Sequence, residues 1–182
     1  SGLLYRYASY LLINKKPSNR INFLKKYFNS LNLHALNKIN LHTPEISEYT
    51  SIIAKEKKIR LILKNFQKRF AKKHKKVCIE GRDIGTVILP KADIKFFFKC
   101  DLITASKRRF IELKKTNGNI KLNDVKKSIK TRNYRDKSRK NSPLLESPDA
   151  IIVDTGKLKN ISDMTNKLSE TIKEKIKEKY GS

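Results

Sequence analysis

The stretch 77-VCIEGRDIGTVILPKADIKFFFKC-100 holds two apolar runs separated by a charged turn. Val77–Glu80 and Ile94–Cys100 read as short buried strands, rich in β-branched and aromatic residues. Between them, Gly81-Arg82-Asp83-Ile84-Gly85-Thr86 sets adjacent charges of opposite sign between two glycines. Glycine lets a backbone turn sharply and come close to a ligand. In open α/β sheets, ligands bind beyond the carboxyl ends of the strands. That is where this reading puts Glu80, Arg82 and Asp83. A tight turn held by a purely structural Arg–Asp contact accounts for the same motif.

Outward from this stretch, helices and strands alternate. Toward the C-terminus the pattern predicts a helix over Leu102–Lys115, ended by Asn117-Gly118, and another over Leu122–Arg139, before Pro143. Ala150–Asp154 is a third strand, of the continuously apolar kind found in parallel sheets, and Ser162–Tyr180 is a last helix. Toward the N-terminus, residues 1–14 read as a turn and a helix with Leu3, Leu4, Tyr7, Leu11 and Leu12 on its apolar side. Residues 15–45 are polar and irregular, a small insertion with Lys16-Pro17-Ser18 as a break and one short helix over INFLKKYF. Residues 44–70 are helical, with Ile59, Leu63, Phe66 and Phe70 in one stripe. The alternation specifies an α/β layered fold.

A chain of 182 residues with 38% hydrophobic and 33% charged residues supports one domain with its own core. No segment approaches a membrane-spanning length, no secretory signal is visible, and no residue set has zinc-ligand spacing. The two cysteines, Cys78 and Cys100, lie in strand-like runs and read as buried thiols of a cytoplasmic protein. The net charge of +26 has two readings. One is an anionic partner, such as nucleic acid, nucleotide or phosphate-rich substrate. The other is a Lys-, Asn- and Ile-rich residue usage, consistent with basic residues spread along the whole chain. This usage makes arginine informative. Only 10 of the 43 basic residues are Arg, and each suggests a need for a planar, two-pronged donor.

The segment 132-RNYRDKSR-139 concentrates them. On a helix, Arg132, Asp136 and Arg139 share one face, with Arg135 beside it. A solvated face carrying an Arg132–Asp136 pair is one reading. The other is a clamp over a polyphosphate, with guanidinium groups opposing the charge that develops in phosphoryl transfer.

Together these pieces resemble the cytidylate kinase family of nucleoside monophosphate kinases, which move a phosphoryl group from ATP to CMP or dCMP. The matching stretches are SGLLYR at 1–6, TPEIS and TSIIA within 43–54, EGRDIGTVILPKADIKFFF at 80–98, SKRRF at 106–110, RNYRDKSRKNSPL at 132–144 and PDAIIVDT at 148–155. The resemblance implies a P-loop-kinase-like three-layer α/β fold with a parallel sheet. It makes 1–182 one domain, with a nucleotide-binding insertion at about 15–45 and a helical lid at about 102–139. It implies a cytosine pocket of Ser51, Arg60 and Asp83. Sugar and phosphate contacts would come from Ser1, Tyr5, Arg6, Arg82, Arg132, Asp136 and Arg139, with Arg82, Arg132 and Arg139 catalytic. Arg108 and Arg109 would approach ATP. ATP and Mg²⁺ are the implied co-substrate and cofactor, with no metal ligand in this chain. The implied partners are small molecules, with no membrane and no specific nucleic acid, for a cytoplasmic monomer. His34, His42 and His74 read as surface residues.

The sequence departs from the family in three ways. Nothing matches G-x-x-x-x-G-K-[ST]; in the family that loop and its strand come just before the position of Ser1. The expectation is that this stretch alone is poorly stable and has no measurable kinase activity, while the complete protein is active. Ser51 and Arg60 are nine residues apart, on opposite faces of a straight helix, so both reach one base only if the helix breaks near Glu56–Lys58, where the family tends to have Pro and this chain has Lys57. Ala105 stands where the family often has a basic residue. Two rival readings are a kinase for another nucleotide, such as UMP, and a basic RNA-binding module. The latter needs aromatics interleaved with Lys and Arg on an exposed sheet, whereas Phe96, Phe97 and Phe98 read as core.

Overall fold

The computed structural model of the chain describes residues 1–33, 36, 39–74, 76–115, 118–158 and 160–181. His34 and the Asn117 helix terminator expected from the sequence lie outside them. The contacts group the chain into two compact units, Ser1–Pro90 with Arg139–Ser142, and Lys91–Ser138 with Pro143–Ser182. Mostly helical with a small parallel sheet, the protein has the expected α/β character.

The first unit is built from α1 (Gly2–Lys15), α2 (Arg20–Asn29), α3 (Pro44–Ile53), α4 (Lys57–Lys73) and a π-helical turn over Ile84–Ile88. The helix limits follow from local chemistry. Lys16 takes a left-handed conformation (φ 41°) that ends α1, just before Pro17. The Asn19 side chain accepts from the Asn22 amide at 3.0 Å and starts α2. Thr43 does the same for the Ile46 amide at 3.3 Å, with Pro44 at the first helical position of α3. The helices meet in one apolar core. It takes Leu4, Tyr7, Ala8, Leu11 and Leu12 from α1, Leu24 and Phe28 from α2, Ile46 and Ile53 from α3, and Ile59, Ile62, Leu63 and Phe66 from α4. Phe28 stacks edge-on against both Tyr7 and Phe66. Leu3, expected on the apolar side of α1, is exposed. It falls one position beside the stripe that Leu4, Tyr7 and Leu11 form.

The second unit contains β1 (Phe96–Lys99), α5 (Leu102–Lys114), α6 (Leu122–Ser138), β2 (Ile151–Asp154) and α7 (Ile161–Tyr180). β1 and β2 are parallel, with Phe96 opposite Ile151 and Lys99 opposite Asp154. Lys95 and Asp149, each just ahead of its strand, tie the same end of the pair: Lys95 Nζ contacts the two Asp149 carboxylate oxygens at 2.7 and 2.9 Å. The Asp101 side chain caps α5 by accepting from the Thr104 amide at 2.8 Å. Gly181 (φ 67°) closes α7 in the left-handed region, where a Cβ is disfavoured. α7 is moored by Lys179 and Tyr180, which both donate to Asp93.

Three sequence expectations fail here. Val77–Glu80 forms no strand, and Val77 and Cys78 are exposed. An apolar run becomes a strand only when a neighbour takes up its N–H and C=O groups, and none of the described residues pairs with it. Phe96, Phe97 and Phe98 are not a closed core: the first two are half-buried and Phe98 is 51% exposed. A two-stranded ribbon offers each side chain few neighbours. Cys100, like Cys78, is an exposed free thiol rather than a buried one.

Candidate active site

The charged turn of the opening stretch carries Asp83 into the first unit. Asp83 precedes the π-turn, and its carbonyl accepts from the amides of Val87 (2.9 Å) and Ile88 (3.1 Å). Single π-turns of this kind concentrate at functional sites. Gly81 serves close approach rather than unusual backbone angles, because a Cβ there would collide with Ser1 Oγ and Ile84. The Ser1 nitrogen in turn donates to Glu80 O at 2.6 Å.

The Asp83 carboxylate meets Arg60. Arg60 Nη2 lies 2.5 Å from Asp83 Oδ2, and the two side chains are only 9% and 7% exposed. α3 and α4 are separated by a break at Ala54–Glu56. That break gives Arg60 its second contact, because Nη1 donates to Ala54 O at 3.1 Å. The expected interruption near Glu56–Lys58 therefore exists, one or two residues earlier. The guanidinium also lies over the Tyr5 ring, 5.6 Å from its centroid. Removing one partner of such a buried pair leaves an uncompensated charge, at a typical cost of about 3–5 kcal/mol. Burial pushes the Tyr5 hydroxyl up to about 12, with Asp83 adding to the shift and the charges of Arg60 and Arg139 opposing it. Tyr5 is thus neutral at physiological pH.

The remaining expected residues of this unit sit in defined settings. Arg6 Nη1 donates to Leu41 O (3.0 Å) and Ser47 Oγ (2.7 Å), linking α1 to the start of α3. Ser51 folds its hydroxyl back onto Glu48 O at 2.7 Å. Arg82 is half-buried on the turn. Arg139 Nε donates to Ser142 O.

The second unit holds the others. Arg132 and Asp136 share a face of α6, as their spacing predicts, with Nε and Oδ2 3.9 Å apart. Asp136 O accepts from the Leu144 amide at 2.7 Å. Arg108 donates to Thr155 O (2.8 Å) and Leu158 O (3.4 Å), so its guanidinium joins α5 to the segment after β2. Arg109 pairs with Glu112 at 2.6 Å on the surface of α5. Sequence reasoning missed the Ala54 carbonyl, since a backbone oxygen six residues upstream leaves no trace in side-chain periodicity. It also passed over Arg20 and Glu56, which flank the same break. Among the described residues, no group of three or more His, Cys, Asp or Glu could hold a metal ion, and no helix is long and apolar enough to cross a membrane.

A buried carboxylate and guanidinium that present acceptor and donor edges side by side suit a nucleotide base. The comparisons agree on the class, since the family matched is one of nucleoside monophosphate kinases. The family model described as cytidylate kinase matches residues 1–174, and the chain belongs to the cytidylate kinase family. The cytidylate kinase of Lactobacillus gasseri is 38% identical over 139 residues, covering 76% of this chain and 60% of that protein. That of Bartonella tribocorum is 36% identical over 164 residues, covering 87% and 74%. That of Clostridium tetani is 34% identical over 193 residues, covering 100% and 84%. The chain thus spans less than two thirds of the Lactobacillus relative.

Proposed function

We propose that the protein transfers a phosphoryl group from ATP to CMP or dCMP, giving ADP and CDP or dCDP, as a cytoplasmic monomer working on small molecules. The observation that carries this reading is the buried Arg60–Asp83 pair beside Tyr5. Cytosine offers an amino donor at position 4 and acceptors at N3 and O2. A carboxylate has about four acceptor positions, so Asp83 can hold Arg60 and still accept from the amino group. Arg60 and Ser51 donate to the ring acceptors. Uracil presents a carbonyl and an N–H instead, and would leave buried groups mismatched, a difference worth roughly several kcal/mol.

In this reading Arg6, Arg82 and Arg139 neutralise the CMP phosphate, Arg132 and Asp136 hold the ribose, and Ser1 and Tyr5 line the nucleotide. Arg108 and Arg109 support ATP. Arg108 does so through the segment it braces, given its two carbonyl partners. The chemistry asks for position and charge neutralisation rather than a histidine base. Mg²⁺, when bound, neutralises phosphate oxygens, and it would be held by those oxygens and water rather than by a named side chain of this chain. The α5–α6 pair lies in the proposed lid, about 102–139, and α2 in the proposed nucleotide-binding insertion, about 15–45.

Calorimetric titration of the complete protein with CMP, dCMP, UMP and an RNA oligomer tests the reading. CMP binding at least tenfold tighter than UMP supports it; equal affinities refute the pocket. The RNA arm addresses the basic-module alternative, which gains one observation. Phe98 is exposed, and Lys99 lies 5.9 Å from the Phe97 ring centroid. Salt-sensitive binding to RNA of any sequence, with none to CMP, would favour that alternative.

A further inference from the structure

The break between α3 and α4 is held from outside by a residue of α2. Arg20, the first residue of α2, places Nη2 2.9 Å from Glu56 Oε1. Its guanidinium also lies 5.9 Å from the ring centroid of Tyr49 on α3. Glu56 stands at the cap position of α4, yet makes no side-chain capping bond; its carboxylate goes to Arg20. At the far end of α2, Arg69 of α4 donates to Phe28 O (3.0 Å) and Asn29 Oδ1 (3.3 Å). α2 therefore runs beside α4 as a splint, pinned by a guanidinium at each end. The amide of Arg60 donates to Glu56 O at 3.0 Å, and its guanidinium takes Ala54 O. Both ends of Arg60 are thus referenced to the segment that Arg20 holds.

We propose that Arg20 and Glu56 are positioning residues for the base-reading guanidinium of Arg60, fixing the Ala54–Glu56 break and so setting how tightly and how selectively the site takes a pyrimidine. This rests on the CMP reading above. The pair touches no substrate; it acts through the carbonyl and the helix start that orient Arg60. A free guanidinium rotates through many rotamers, and each degree of freedom removed beforehand is one that binding need not remove.

The test compares wild type with Arg20→Ala, Glu56→Gln and the reversed pair R20E/E56R. It measures steady-state kinetics with CMP and UMP in the complete protein, and amide exchange at Lys55, Glu56 and Arg60. Each single variant is expected to raise KM for CMP about two- to fivefold, the range of a part-exposed ion pair. It should leave kcat within about twofold, narrow the CMP/UMP ratio, and speed exchange at the three amides. The reversed pair should restore all of these. Unchanged exchange and KM overturn the proposal. So does a uniform loss of kcat for both nucleotides without rescue, which marks a merely structural pair. If wild type does not take CMP, the functional reading fails, and the positioning claim is then decided by the exchange rates alone.

Discussion

The two units of the chain keep their shape by different means. In the first, four helices share one apolar core, and its buried charges are tied to named partners inside it. In the second, the sheet has two strands, Phe98 and Ile152 remain largely exposed, and α7 buries none of its described side chains. Its ties are polar: Lys95 to Asp149, Arg108 to the carbonyls after β2, and Lys179 to Asp93. A core tolerates no loss of volume, whereas a set of partly wet polar ties loses little with any one of them. The proposed base contacts, Arg60 and Asp83, belong to the unit with the shared core, and pre-set geometry is worth most at such contacts.

This contrast can be broken first at Asp83. Asp83→Ala should abolish measurable CMP phosphorylation in the complete protein and cost about 3–5 kcal/mol of stability by leaving Arg60 buried and uncompensated. Denaturant unfolding alongside a coupled ADP assay reads both. A stable variant would mean that the pair is not desolvated. Next comes a matched pair of truncations: Phe28→Ala should cost about 3–5 kcal/mol, and Phe98→Ala under about 1 kcal/mol. Equal costs would erase the distinction between the units.

Lys95 sharpens the comparison further. Its side chain is buried while that of Asp149 is exposed, so the two substitutions are unequal. Asp149→Ala should lower stability more than the change at Lys95, because it takes the carboxylate away from a buried ammonium. Lys95→Met, which keeps the apolar stem, should cost under about 1 kcal/mol. The smallest effect is one of pH. Tyr5 titrates near 10 when unfolded and about 12 when folded. The stability it contributes is complete below pH 10 and is lost as pH rises toward 12. Tyr5→Phe should flatten that part of the stability–pH curve and leave the curve below pH 9 unchanged.

Some of the side-chain geometry was legible because arginine stood out in a lysine-rich chain. Arg6, Arg60, Arg69 and Arg108 each satisfy two oxygen acceptors, the use that favours a guanidinium over an ammonium. The need to bring Ser51 and Arg60 to one base predicted a helix break, and the chain breaks at Ala54–Glu56. Ser51 nevertheless bonds within its own helix. What failed was inference from apolar runs alone. Val77-Cys78-Ile79 and Phe96-Phe97-Phe98 have strand composition, but composition does not say how many neighbours a strand finds. The first run pairs with none of the described residues, and the second with a single strand. Contacts such as Arg20 with Glu56, which span 36 residues of chain, leave no local pattern to read.

The two accessible sulfhydryls have a practical use. Cys78 belongs to one unit and Cys100 to the other, and both are free. The chain thus comes with a natural pair of attachment points for nitroxide or dye, one on each body, without any engineered residue. Probes at the two thiols, read one at a time as nucleotide is added, would report on the surroundings of Cys78 and of Cys100 in the unaltered sequence.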